Sequence, residues 1–209
     1  VCAAKGFYAA GAEAGVKYKN RKDMALIYSE APCVCAGTFT TNVVKAAPVI
    51  WDRDIVENSP YVQAIIINSG IANACTGQEG MDCCKKEAQA AAAVLNIPES
   101  AVLVGSTGVI GMQMPVDRLI AGIEMLAEHK EHSKEAAQYA AEAIMTTDTV
   151  DKQAAVSFVI GGKTVTMGGM CKGSGMIHPN MCTMLSYVTS DVSISKELLK
   201  KAVKESIID

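Results

Sequence analysis

The segment from Lys172 to Leu185 holds the residues whose types and spacing are best suited to covalent chemistry. It begins Lys-Gly-Ser-Gly, contains Pro179, and leads to Thr183 at the start of an apolar, strand-like run. A threonine hydroxyl is a weak nucleophile, and the free amine of an N-terminal threonine can serve as its base. That chemistry requires a cut between Cys182 and Thr183. Glycine-rich loops are common, however, so the loop composition by itself favours an ordinary connection and an ordinary strand threonine.

The same hydroxyl would act twice if the chain cuts itself. It would first attack the carbonyl of Cys182 to give an ester that water hydrolyses, and the freed amine would then activate it for turnover. Glycines before the bond allow backbone geometries that other residues resist. Cys182 would leave with the new C-terminus, so we assign it no catalytic role.

Several stretches, in one order, match the pattern of a known family. Together with the segment before Thr183 they resemble the ornithine acetyltransferase family, the glutamate N-acetyltransferases of arginine biosynthesis, over essentially the whole chain. The stretches are AAKGF at 3–7 followed by Ala10-Gly11, TFTTN at 38–42, KAAPV at 45–49, NSGIANACTG at 68–77, STGVIG at 106–111 and MTTDT at 145–149.

The resemblance implies an acetyltransferase that moves acetyl from N-acetylornithine to glutamate through an acetyl-Thr183 ester, after autocleavage. It implies no cofactor, leaves open whether acetyl-CoA is also a donor substrate, and implies an α2β2 heterotetramer. Residues 183–209 would begin the β chain, whose remaining segment is missing, since family members are about twice as long. We therefore expect the chain as given, with the Thr183 amine in a peptide bond, to be inactive. Cys182 stands where the family usually has Ala, and we expect cleavage to be retained.

Thr107 and Gly108 are predicted to form the oxyanion hole. They follow the apolar run 102–105, so we expect them at a strand end, where a loop can aim a hydroxyl and an N–H. A preorganised donor stabilises an acyl-transfer oxyanion by about 3–4 kcal/mol. A plain turn is the alternative.

Lys172 and Thr146 are the predicted substrate-binding residues besides Thr183. An ammonium at position 172 can pair with a substrate carboxylate or lower the pKa of a neighbouring amine. The resemblance assigns substrate contact to Thr146, with Thr147 as second choice, and capping of a helix end is the alternative for both. The stretch 68–77, with Ile71 where the family often has Asn, is expected to be a structural loop near the site.

Composition limits the kind of domain, the binding partners and the cellular location that are expected. The 209 residues suit one domain, 1–209, with a core of aliphatic side chains, because 50% are hydrophobic and only 5% aromatic. A net charge of −3 argues against a nucleic-acid surface, and no run is apolar enough to span a membrane. Eight cysteines and three histidines lack metal-site spacing. Without a visible secretion signal, reduced thiols and a cytoplasmic location are expected.

The pattern of apolar runs predicts an α/β (α+β) layered sandwich, with helices covering paired sheets as the resemblance implies. Ser133 and Ser195 are expected helix N-caps, and Pro115 a first-turn residue. Predicted strands are 24–28, 62–67, 102–105, 155–160, 164–167 and 183–188, and predicted helices are 81–95, 115–129, 133–145 and 195–207.

Two other functions stay open at this point. The first is an N-terminal-nucleophile amidohydrolase or aminopeptidase, in which water replaces glutamate as acceptor. The second is a non-catalytic fragment that needs a partner chain.

Overall fold

Two β-sheets and five α-helices form the chain in a computed structural model that describes residues 1–173 and 184–207. The strands are β1 (Phe7–Ala12), β2 (Met24–Cys33), β3 (Val62–Ile71), β4 (Val102–Val109), β5 (Lys152–Ile160), β6 (Lys163–Lys172) and β7 (Leu185–Ser190). The helices are α1 (Ala47–Asn58), α2 (Gly77–Leu95), α3 (Val116–Glu128), α4 (Lys134–Ala143) and α5 (Lys196–Ser206).

The first sheet has the strand order β1-β2-β3-β4. Its first two pairings are antiparallel, whereas β3 and β4 run parallel with Asn68 opposite Ser106 and Ser69 opposite Thr107. Parallel neighbours place their carboxyl ends at the same edge of a sheet. The motifs at 68–71 and 106–109 therefore lie side by side, although helix α2 separates them along the chain.

Each face of this sheet is covered by a different set of elements. Helices α2 and α3 pack on one face through a core that includes Leu26, Ile66 and Ile123. Helix α4 and the second sheet pack on the other face, around Ile67 and Met170. Alanines dominate the inner side of α4, and their small size allows the helix to lie close to the strands. The result is a helix–sheet–sheet layering that buries both faces of β3.

The second sheet has the order β5-β6-β7 and is antiparallel throughout. Strand β5 is largely exposed along its length, with Val156, Phe158 and Ile160 all open to solvent. Helix α5 buries none of its residues, although Ser195 caps its N-terminus. This end of the molecule thus presents an apolar strand face that nothing in the described chain covers.

The sequence-based elements are confirmed in type, with differences at their ends. The runs 24–28, 62–67, 102–105, 155–160 and 164–167 all lie in strands, and Ser133 and Ser195 both accept the predicted capping hydrogen bonds. Pro115 immediately precedes α3 rather than lying in its first turn, and α4 ends at Ala143 rather than at 145. The predicted strand 183–188 is described only from residue 184 onward.

Two elements were missed and one position was misjudged. Strand β1 and helix α1 have no counterpart in the prediction, because FYAAGA is poor in strand formers and α1 contains four β-branched residues. Thr107 and Gly108 lie at a strand end as expected, but the predicted end of that strand at 105 is wrong, because β4 continues to Val109. The register with β3 extends the strand past the apolar run.

Glu87 makes the stability of this fold depend on pH. Its side chain is fully buried on α2, and burial raises the pKa of its carboxyl to about 7, opposed by a hydrogen bond from Cys83. The unfolded chain ionises near its ordinary pKa of 4.5. We therefore expect the contribution of Glu87 to stability to be fully present below about pH 4.5 and to fall by about 3 kcal/mol as the pH rises to about 7.

Urea unfolding of the full-length protein at pH 5 and pH 8 measures this effect. Glu87→Gln stays uncharged and should flatten the decline, whereas Glu79→Gln, an exposed position on the same helix, should keep it. An undiminished decline in Glu87→Gln contradicts the assignment.

Candidate active site

The side chain of Lys172 lies at the centre of a buried group of hydroxyls. Its Nζ donates to Thr107 Oγ1 at 3.1 Å and to Thr146 Oγ1 at 2.8 Å, and the residue is only 5% exposed. We call these three residues the Lys172 cluster. The cluster joins the end of β6, the end of β4 and the turn after α4. The structure thereby brings together three of the residues that the sequence singled out.

Lys172 carries no carboxylate partner within the described part of the chain, where its polar contacts are the two hydroxyls. Burial lowers the pKa of its ammonium, while the charge of Asp148 acts in the opposite direction. A buried ammonium held only by neutral hydroxyls is incompletely compensated. The cluster is therefore electrostatically suited to an anionic ligand group or to an oxygen that develops negative charge.

Asp148 organises the backbone around the cluster. Its carboxylate accepts hydrogen bonds from the N–H of Gly173 at 2.9 Å and of Thr146 at 3.3 Å, and forms a salt bridge with Lys152 at 2.8 Å. Burial acts to raise the pKa of this carboxyl, but the hydrogen bonds from Lys152, Gly173 and Thr146 outweigh it and lower the pKa to about 2. Asp148 thus stays ionised and holds Thr146 next to Lys172.

The turn that carries Thr146 is also held by Arg21. Arg21 donates from its guanidinium to the carbonyl of Met145 at 2.7 Å. Thr146 is the threonine whose hydroxyl contacts Lys172, in agreement with its preference over Thr147. The sequence reasoning assigned no role to Asp148 or Arg21. Asp148 follows Thr146 by two positions, and aspartate side chains often accept hydrogen bonds from backbone close to them in sequence. This spacing could have predicted the role of Asp148.

Gly108 adopts a backbone conformation that side chains resist. Its φ is +139°, and a Cβ there would lie 2.2 Å from the carbonyl carbon of Gly70. Any other residue would force strands β3 and β4 apart next to Thr107. The close approach explains why glycine is required here, whereas donation by its N–H to an oxyanion stays a prediction.

Thr183 and Cys182 lie outside the described residues. The chain that flanks their segment is described on both sides: Leu185 pairs with Lys172, and a Cβ on Gly173 would lie 3.7 Å from Met184 Cγ. Met184, which follows Thr183 in the sequence, therefore lies beside Gly173, the residue next to Lys172.

Residues 1–173 and 184–207 contain no group of three or more His, Cys, Asp or Glu side chains that could hold a metal ion. Among those residues, none of the helices is both long and apolar enough to cross a membrane.

The chain is similar in sequence to proteins of one family. A family model described as the ArgJ family matches residues 8–209. The arginine biosynthesis bifunctional protein ArgJ of Thermotoga neapolitana is 51% identical over 206 residues, which are 98% of this chain and 51% of that protein. The chain thus spans about half the length of the curated relatives it matches.

Two solved structures superpose closely on the chain. ArgJ from Bacillus halodurans gives a TM-score of 0.82 at 45% identity, covering 88% of this chain and 94% of that one. Ornithine acetyltransferase from Mycobacterium tuberculosis, solved in complex with ornithine, gives 0.77 at 38% identity, covering 88% and 95%. These matches confirm the layered α/β fold with paired sheets. Since a family model covers nearly all of it, the chain belongs to the ArgJ family.

Proposed function

We propose that the full-length protein transfers acetyl from N-acetylornithine to glutamate in arginine biosynthesis. The observation that carries the proposal is the buried ammonium of Lys172, which lies between Thr107 and Thr146 and has no carboxylate partner among the described residues, in a member of the ArgJ family. A relative at 38% identity was solved with ornithine, which supports an amino-acid substrate of this type. Thr183, whose neighbour Met184 lies beside Gly173, is the proposed nucleophile.

Self-cleavage is the first proposed step. The hydroxyl of Thr183 attacks the carbonyl carbon of Cys182, the C–N bond between them breaks, and the acyl group moves from nitrogen to oxygen. Water then hydrolyses the ester, which leaves a carboxylate on Cys182 and a free amine on Thr183. The lengths of the solved relatives support a divided chain, since each is slightly shorter than this one although curated relatives are about twice as long.

Acetyl transfer then proceeds in two half-reactions at the same hydroxyl. The Thr183 amine takes the hydroxyl proton, the oxygen attacks the acetyl carbonyl of N-acetylornithine, and ornithine leaves after its nitrogen receives that proton. The amine of glutamate next attacks the acetyl ester, which releases N-acetylglutamate and restores the hydroxyl. Thr107 and Gly108 would stabilise the oxyanion of each half-reaction. Acetyl-CoA is an alternative donor for the first half-reaction.

Lys172 and Thr146 are proposed to bind and orient the substrate. An ammonium that lacks a carboxylate partner gains most from a negatively charged oxygen, and the hydroxyl of Thr146 lies 2.8 Å from it. The Asp148 carboxylate keeps this arrangement in place through its bonds to Gly173 and Thr146. Because this cluster is fixed in place, a substrate bound to it holds its acetyl carbonyl in a defined position for attack.

The remaining half of the protein is proposed to complete this site and to cover the second sheet. The exposed apolar residues of β5 and the unburied helix α5 support a covering segment, because apolar strand faces of this kind are normally packed. An α2β2 heterotetramer is the proposed assembly. A cytoplasmic location is proposed from the cysteines, all of which are free among the described residues.

Acetyl labelling and initial-rate kinetics of the processed full-length enzyme test the function. N-acetylornithine alone should add one acetyl mass to the fragment that begins at Thr183, and glutamate should then remove it and yield N-acetylglutamate. Parallel initial-rate lines are expected, because one hydroxyl first accepts and then donates the acetyl group.

The chain as given is the matched control and should stay unlabelled, since its Thr183 amine is in a peptide bond. Intersecting lines without a trapped acetyl fragment would mean direct transfer and would overturn the covalent mechanism. Net hydrolysis that glutamate does not suppress would identify an amidohydrolase instead.

A further inference from the structure

Ser69 is a buried serine beside the Lys172 cluster whose hydroxyl the proposed function does not use. The residue is fully buried, and its Oγ has no hydrogen-bond partner among the described residues. Its backbone N–H is satisfied by the carbonyl of Asp23 at 2.9 Å. Leaving a buried hydroxyl unpaired is unfavourable, and such groups in native proteins need an explanation.

The strand register places this hydroxyl on the same face as Thr107. Ser69 and Thr107 are partners in the parallel β3–β4 pairing, and register partners project to the same side of a sheet. Ile67 and Gly105 form the pair two residues earlier on these strands, so they project to the same side as Ser69 and Thr107. A Cβ on Gly105 would overlap the hydroxyl of Tyr187 in β7, which shows that this side faces the second sheet. Ser69 therefore faces the second sheet, which also carries Lys172.

The spacing of the two strands suits a shared acceptor. Neighbouring strands lie about 4.8 Å apart, and an O–H···O hydrogen bond spans about 2.7 Å. One oxygen atom between the two side chains can therefore accept from both hydroxyls. Thr107 is the proposed oxyanion donor, so the acetyl carbonyl oxygen is the acceptor that reaches this position.

We propose that Ser69 is a second side-chain donor to the oxygen of the transferred acetyl group, acting beside Thr107. This inference rests on the proposed acetyl transfer and extends it to a residue of β3. The hydroxyl stays unpaired until substrate binds, and it then gains its partner as negative charge develops on the acetyl oxygen.

Single-turnover acetylation of the processed full-length enzyme by N-acetylornithine tests the role. Ser69→Ala should slow acetylation about tenfold with little change in KM, because the bond strengthens in the transition state. Its melting temperature without substrate should stay the same or rise, since the change removes an unpaired buried hydroxyl. Ser69→Cys, which keeps the shape of the side chain with a slightly larger atom and donates weakly, should be slowed in the same way.

Ser106→Ala is the matched control. Ser106 Oγ is also buried and unpartnered, but the residue precedes Thr107 on β4 and so faces the opposite side of the sheet. Its loss should leave the acetylation rate unchanged. A wild-type acetylation rate in Ser69→Ala overturns this inference alone. The inference also fails if Ser69→Ala is slow and has a lowered melting temperature while Ser69→Cys acetylates at the wild-type rate. Absence of label on the wild-type enzyme overturns the proposed function and this inference with it.

Discussion

Thr183→Ala is expected to leave the full-length protein as a single uncut chain without detectable acetyl transfer. Without the hydroxyl, no acyl shift can break the bond to Cys182, and no oxygen remains to accept the acetyl group. Intact-mass measurement of the purified protein reports the cut, and an assay for N-acetylglutamate reports the turnover. Both should fall to background, which makes this the largest effect that the proposed mechanism implies.

Two substitutions at the same bond control this result. Thr183→Ser keeps a hydroxyl and should still cut, and Cys182→Ala introduces the residue usual in the family and should also cut. A Thr183→Ala protein that still splits between positions 182 and 183 would show that another group is the nucleophile.

Thr107→Ala should reduce acetyl transfer by the processed enzyme by roughly a hundredfold or more. The change removes the proposed oxyanion donor and also one of the two hydroxyls that hold Lys172, at 3.1 Å from its Nζ. Because Thr107 is buried within β4, the loss of its side-chain oxygen and methyl group should lower the melting temperature somewhat without unfolding the protein. Steady-state kinetics with N-acetylornithine and glutamate, together with a melting curve, measure the two effects separately.

Thr107→Ser supplies the control, because it restores the hydroxyl without the methyl group. It should recover most of the activity. If Thr107→Ala turns over at the wild-type rate, or if Thr107→Ser is as slow as Thr107→Ala, the hydroxyl does not serve the reaction.

The sequence by itself predicted which residues carry the chemistry, and it determined the type of most of the surrounding elements. Thr107, Thr146, Lys172 and Thr183 were all identified from motifs, and the structure brings the first three into one cluster. Long periodic helices such as α3 and well-capped ones such as α4 were predicted because their signals are local. Weakly patterned elements, above all β1 and α1, were not predicted. Their conformation depends on packing against neighbouring elements rather than on the intrinsic preferences of their residues.

Only the tertiary structure decided how these residues meet. Lys172 and Thr107 are 65 positions apart, and their contact depends on the packing of the second sheet against the first, which no local pattern encodes. The same holds for Ser69, whose orientation follows from its register with Thr107, and for the extension of β4 through Gly108. Side-chain chemistry is local to a residue, whereas register, burial and the absence of a hydrogen-bond partner are properties of distant segments packed together.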